Sequence, residues 1–100
     1  SKSDPAAEEQ RVAYEAIRDQ DWAHAEAQLL AARAEAPDDP YLMLNLAFVM
    51  QKTGRVEEAE QMYRQVLDMK QNPYAAMPAG EPKRVKHVAA DGLGQMAQGE

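Results

Sequence analysis

The sequence has 100 residues, of which 45% are apolar, so it allows one domain with a modest core and is not typical of a disordered chain. The net charge of −6 argues against binding to nucleic acid, and the absence of cysteine excludes disulfide and thiolate chemistry. Strong helix formers dominate and threonine occurs once, so we predict an all-α fold. The longest apolar run, residues 41–50, is too short to cross a bilayer, and we expect no direct membrane insertion.

Four helices are predicted in the first three quarters of the chain. The sequence begins with Ser1 rather than methionine, so we expect a processed or excised part of a longer protein, with residues 1–5 as a disordered tail. Apolar residues then recur at helical spacing, which predicts helices at roughly 5–19, 22–36, 40–53 and 56–71.

Turn residues separate these helices. Asp39 is placed to cap the third helix, and Pro40 occupies its first position. Gly54 lies where the third helix stops and the fourth begins, and Pro73 follows the end of the fourth helix.

The pattern repeats after 34 residues. Ala25 and Ala59 lie at this interval, and their small side chains allow paired helices to approach closely. The other positions matched at the same interval are all apolar: Val12 and Leu46, Ala13 and Ala47, Ala16 and Met50, Leu29 and Tyr63, Ala32 and Val66.

These residues resemble the tetratricopeptide repeat family. The second-helix alanines are Ala25 and Ala59, the turn glycine is Gly54, and the closing proline is Pro37. The sequence departs from the family pattern at Gln20, which stands where the first repeat would have glycine. Glu9 and Met43 likewise replace the early tryptophan of each repeat.

The resemblance implies two helix-turn-helix repeats, residues 6–39 and 40–73, forming a short right-handed solenoid. First-helix residues line the concave groove in this family. Carried over by position, the groove residues are Gln10, Tyr14, Ile17, Arg18, Tyr41, Leu44, Asn45, Phe48, Gln51 and Lys52. Most positions of the family's carboxylate clamp hold other residues here, so the resemblance favours an apolar or amphipathic peptide instead.

A fifth helix is predicted after a linker. Prolines and Gly80 predict a linker over residues 74–81, and apolar residues then form one stripe of an amphipathic helix over residues 82–97. Gly92 and Gly94 should weaken this helix by ~1 kcal/mol each relative to alanine. The helix is either a cap packed on the second repeat or a mobile element that docks a partner or another subunit.

Two groups of groove residues have alternative interpretations. Leu44 and Phe48 either contact a partner or are covered by the C-terminal helix. Asn45 lies in an otherwise apolar helix, where its amide needs a hydrogen-bond partner, either in a neighbouring helix or on a ligand's backbone.

No catalytic site is predicted. His24 and His87 are 63 residues apart, and neither has a metal-ligand partner at helical spacing, so we expect no metal and no cofactor. The resemblance instead suggests a protein–protein interaction module or scaffold, in a bacterial assembly by association with the fold. The alternative is self-association, including a dimer that swaps the fifth helix. A periplasmic or envelope location and a cytoplasmic one both stay open.

Overall fold

A computed structural model describes residues 14–99 and shows a mostly helical chain. The described part opens on helical residues 14–18, here called α1, so the predicted tail and the beginning of the first predicted helix lie outside the described residues. The other elements, in chain order, are α2 (Trp22–Glu35), α3 (Pro40–Lys52), α4 (Val56–Asp68), β1 (Tyr74–Ala75), β2 (Lys83–Arg84) and α5 (Val85–Ala97). The prediction of an all-α helical repeat is confirmed. No helix within residues 14–99 is long and apolar enough to cross a membrane.

The turns that end α1 and α3 are equivalent at the interval of 34 residues. The Asp21 N–H donates to the carbonyl of Ala16 over 2.8 Å, and the Arg55 N–H donates to the carbonyl of Met50 over the same distance. Both are the six-residue bonds of a Schellman helix end, which requires a left-handed residue just after the helix. Gly54 fills that position with φ of 85°, whereas Gln20 adopts φ of 61°.

Aspartates cap α2 and α3. Asp21 accepts a hydrogen bond from the backbone N–H of His24 at 3.3 Å, and Asp39 accepts one from the N–H of Tyr41 at 2.8 Å. Pro40 is the first residue of α3, where its missing N–H costs nothing. The predicted start of α3 is therefore confirmed.

The core lies around α3, which packs against α2 of the first repeat, α4 of its own repeat and α5. The second-helix alanines, Ala25 and Ala59, are fully buried, and the larger side chains of the same helices, Leu29 and Val66, are buried behind them. Four α3 residues that share one helical face at i, i+3, i+4 and i+7 are buried as well: Met43, Leu46, Ala47 and Met50. Each fully buried Leu or Val contributes roughly 1.5–3 kcal/mol relative to an exposed one, so these side chains hold the helices together.

A short hairpin spans the predicted linker, and linker residues 76–81 lie in the loop between β1 and β2. Tyr74 pairs with Arg84 and Ala75 with Lys83 in an antiparallel ladder that the sequence pattern did not predict. Because Lys83 and Arg84 are extended and form β2, α5 begins at Val85, three residues later than predicted. Although Asn72 is distant in sequence, its side chain caps α5 by accepting a hydrogen bond from the N–H of Lys86 at 3.1 Å.

The fifth helix packs on the second repeat. It contacts both α4 and α3, and its residues Val85 and Ala89 are fully buried. The C-terminal helix therefore lies against the repeats of its own chain, as in the cap that was one of its two predicted roles.

Candidate functional site

A groove separates the first helices of the repeats from the C-terminal segment. It encloses a cavity of about 800 Å³ that is open to solvent. One wall, the repeat wall, comes from α1 and α3 and consists of Tyr14, Ile17, Arg18, Tyr41, Leu44, Asn45 and Phe48. The other, the C-terminal wall, comes from the hairpin and α5, and Tyr63 of α4 lies between the two.

The centre of the repeat wall is a stripe on α3. Tyr41, Leu44 and Phe48 follow each other at i, i+3 and i+7 and therefore share one face of the helix. Leu44 is 7% exposed, whereas Tyr41 and Phe48 are half-buried. The stripe is thus partly core and partly open surface, and its contact with a partner stays a prediction.

Phe48 is held by two neighbours. Its ring and that of Trp22 form a T-shaped pair, with centroids 5.9 Å apart and an interplanar angle of 68°, a favourable aromatic geometry. The Lys52 ammonium lies 5.4 Å from the centre of the Phe48 ring, within range of a cation–π interaction. These contacts fix the orientation of an aromatic side chain that still borders the cavity.

Asn45 is the polar residue in the middle of this wall. Its side chain is half-buried and lines the cavity, but it forms no hydrogen bond in the part of the chain that the structure describes. A half-buried amide that borders an open cavity can donate and accept hydrogen bonds, so Asn45 offers a polar contact in an otherwise apolar wall.

The residues of the C-terminal wall were not predicted, although one of the two alternatives for Leu44 and Phe48 was that the C-terminal helix covers them. The wall consists of linker residues 75–78, Lys83 of β2, and the α5 residues Val88, Asp91, Gly92 and Gln95. The prolines and the glycine of this segment predicted a linker and no contact with the repeats. Its apolar stretch Tyr74-Ala75-Ala76-Met77 was the available signal that this segment packs against the repeats.

A buried contact sets the position of α5. The Tyr63 ring lies so close to Gly92 that a Cβ atom there would overlap with Cζ of the ring, so any side chain at Gly92 would overlap with it. The Tyr63 hydroxyl then donates to Gln51 Oε1 at 2.9 Å, and Gln51 Nε2 donates to Gln95 Oε1 at 3.3 Å. The chain of bonds joins α4, α3 and α5, so it fixes the width of the groove.

The hairpin is attached to both the repeats and α5. The Tyr41 hydroxyl donates to the carbonyl of Tyr74 at 2.7 Å, which ties β1 to α3. The Arg84 guanidinium lies 4.1 Å from the centre of the Tyr74 ring and donates to the carbonyl of Asn72 at 2.8 Å. These contacts hold the linker residues at the edge of the groove.

Seven of the ten predicted groove residues line this cavity: Tyr14, Ile17, Arg18, Tyr41, Leu44, Asn45 and Phe48. Gln51 is buried, with 8% exposure, and bonds Tyr63 and Gln95 instead. Lys52 is exposed beside Phe48 but is not part of the lining. Gln10 lies outside the described residues.

Charge is distributed unevenly around the groove. Arg18 and Lys83 line it, and Asp91 is the one acidic residue among the described lining. Lys83 Nζ lies 3.3 Å from an Asp91 oxygen, and His87 Nε2 lies 3.6 Å from the same oxygen. No group of three His, Asp or Glu side chains within residues 14–99 is arranged to hold a metal ion.

The pKa shifts that can be resolved lie outside the groove. A bidentate hydrogen bond from Arg55 lowers the pKa of the Glu26 carboxyl and raises that of the Arg55 guanidinium. Glu26 belongs to α2 and Arg55 precedes α4, so this pair links the second helices of the two repeats.

Comparison with known proteins gives one family. A family description, tetratricopeptide repeat, matches residues 16–77, which is more than half of the chain. No curated protein and no solved structure matches the sequence.

Proposed function

Because the chain belongs to the tetratricopeptide repeat family, whose repeats generally mediate protein–protein interactions, we propose that it binds an apolar or amphipathic segment of a partner protein in this groove. The observation that carries the proposal is the open cavity of about 800 Å³ between the repeat wall and the C-terminal wall. Ligand sites typically enclose roughly 300–1,000 Å³, so the groove is large enough for several side chains.

The lining suits an apolar segment. Ile17, Leu44 and Phe48 line the repeat wall, and Met77 and Val88 stand on the C-terminal wall. Burying such side chains against a partner is favourable by roughly 25 cal/mol for each Å² removed from water, and the entropy cost of association is subtracted from this gain. The aromatic residues are the best anchors, because they contribute large contact areas with little loss of side-chain freedom.

The family consists of non-enzymatic interaction modules, and we propose no reaction for this chain. Self-association, including a dimer that swaps the fifth helix, stays an alternative prediction.

The test is a selection from a displayed library of random peptides against the folded chain. We expect enriched peptides to bind the wild type and to lose at least roughly tenfold in affinity on the Phe48→Gln and Tyr14→Gln variants. Tyr14 is 47% exposed, so its replacement should leave the fold intact.

Leu30→Gln is the matched control. Leu30 is 46% exposed on α2 and does not line the cavity, so the same type of substitution there should leave binding unchanged. Equal binding to all four proteins, with folding checked by circular dichroism, would place the binding surface elsewhere and contradict the proposal.

A further inference from the structure

A short segment of the chain itself lies along the groove. Residues 74–78, here called the docked segment, begin with β1, and four of them line the cavity. Their exposure alternates, because Ala75 and Met77 are half-buried, whereas Tyr74, Ala76 and Pro78 are exposed. Successive side chains of an extended strand point in opposite directions, so this alternation indicates a strand that lays one face against the repeats.

The docked segment is attached to the repeat wall in the way that an extended peptide is bound. The Tyr41 hydroxyl of α3 donates to the backbone carbonyl of Tyr74 at 2.7 Å, and the side chain of Ala75 packs against the core. Proteins bind extended peptides through the same combination, in which hydrogen bonds hold the main chain and every second side chain contacts the surface.

Few other contacts hold the docked segment in place. Residues 76–82 form no hydrogen bond and no ion pair within the described part of the chain, and the ladder between β1 and β2 has two residue pairs. Met77 lines the cavity, but it alone among the six methionines is neither buried in the core nor packed against it. A segment with so few contacts opens locally at a low free energy.

Building on the proposed function, we propose that the docked segment is an internal ligand of the groove, which a partner segment displaces. The displacement breaks the bond between Tyr41 and Tyr74 and withdraws Met77 from the cavity. The helix α5 stays in place, because Val85 and Ala89 anchor it in the core. An internal ligand competes at a high effective concentration, so it weakens the binding of a partner that takes the same place.

Paired variants of the full chain test the competition. The inner variant, Ala75→Gly with Met77→Ser, removes the two half-buried side chains of the docked segment. The outer variant, Ala76→Gly with Ala79→Ser, introduces the same residues at two exposed positions and is the matched control. Neither variant changes a helix, so both should keep the circular dichroism spectrum of the wild type. Met77→Ser alone is a milder inner variant and should act in the same direction.

The probe is the docked segment supplied in trans, as a synthetic peptide of residues 73–79. Its binding is followed by NMR through the side-chain amide of Asn45, which lies in the middle of the repeat wall. We expect a saturable shift with the inner variant, and an affinity at least roughly tenfold higher than for the wild type or the outer variant, because the internal copy competes less. Equal binding to all three proteins, or no binding to the inner variants, would overturn the proposal.

The peptides selected from the displayed library separate this proposal from the proposed function. We expect those that depend on Phe48 to bind the inner variant more tightly than the outer variant. If they depend on Phe48 but bind the inner variant equally or less tightly, the groove binds peptides and the docked segment is a fixed part of its wall, which contradicts the competition. If no selected peptide depends on Phe48 and Tyr14, the proposed function itself fails, and the competition fails with it.

Discussion

Gln20 has a backbone conformation that favours glycine. It adopts φ of 61° at the turn where the equivalent residue, 34 positions later, is Gly54 with φ of 85°. A left-handed conformation costs a non-glycine residue roughly 1–2 kcal/mol. Glycine avoids this cost, but part of the gain is lost because glycine makes the unfolded chain more flexible. The two turns therefore carry the same geometry with unequal strain.

We expect Gln20→Gly to raise the free energy of unfolding by up to ~1 kcal/mol, measured by urea denaturation. The reciprocal substitution Gly54→Ala should lower it by ~1 kcal/mol or more, although no atom lies within 4 Å of the added methyl group. A destabilised Gln20→Gly variant would show that the turn of the first repeat tolerates glutamine for another reason.

Gly92 and Gly94 differ in what surrounds them, although both interrupt the same helix. A methyl group at Gly92 would overlap with the ring of Tyr63, whereas one at Gly94 would meet nothing within 4 Å. Gly92 is thus required for packing, and Gly94 only lowers the helix propensity of α5.

Alanine at the two positions should therefore act in opposite directions. We expect Gly94→Ala to stabilise the protein by up to ~1 kcal/mol, and Gly92→Ala to destabilise it by ~1–3 kcal/mol through overpacking. Thermal melts followed by circular dichroism measure both. If Gly92→Ala is stabilising as well, α5 does not rest on Tyr63.

At the scale of the elements, the Glu26–Arg55 pair joins α2 to the start of α4. Folding lowers the pKa of Glu26 because Arg55 binds its ionised form. The stabilisation is therefore present above the pKa that Glu26 has in the unfolded chain, and it is lost as the pH falls through the lower, folded value. Both side chains are about one-third exposed, so the pair contributes at most ~1 kcal/mol.

We expect Glu26→Gln to be less stable than the wild type at pH 7 by no more than ~1 kcal/mol, with the difference vanishing in acid below the folded pKa of Glu26. Glu35→Gln removes an equal charge from the exposed end of α2 and controls for net charge. A difference between wild type and Glu26→Gln that stays constant down to low pH would assign the effect to packing rather than to the ion pair.

The repeat elements were predictable because their signals are local. Asp39 and Gly54 mark helix ends through their own chemistry, and the interval between Ala25 and Ala59 reports the repeat directly. Repeat position also placed Leu44 and Phe48 on the face that borders the groove.

The C-terminal wall was less predictable because it depends on long-range contacts. The two-residue ladder pairs Tyr74 with Arg84 across a loop. Strands this short cannot be predicted from an alternating pattern of apolar and polar residues. Gln51 was placed in the groove by repeat position, but its bonds to Tyr63 and Gln95 depend on where α5 packs. The sequence predicted only that Gly92 weakens the helix, because the Tyr63 ring that packs against it lies 29 residues earlier in the chain.

At the scale of the whole molecule, α5 takes the place of a further repeat. Each helix pair of a repeat protein leaves one apolar face that a neighbour must cover, and two repeats are fewer than the three that usually make a stable stack. Here α5 covers the second repeat, with Val85 and Ala89 fully buried against it. The same helix supplies one wall of the groove, so stability and the shape of the candidate site are coupled.

Removal of residues 80–100 tests this coupling, because it deletes β2 and α5 together. We expect the truncated chain to bind more of a hydrophobic dye and to melt at a lower temperature, since the apolar face of α4 and the side of Leu44 lose their cover. A small domain has only about 5–15 kcal/mol of stability, so the loss of one packed helix also threatens the repeats themselves. Removal of residues 98–100, which follow α5, is the matched control and should change neither property. An unchanged melting temperature and unchanged dye binding after the longer deletion would mean that the two repeats are complete without α5 and that the groove has one wall in solution.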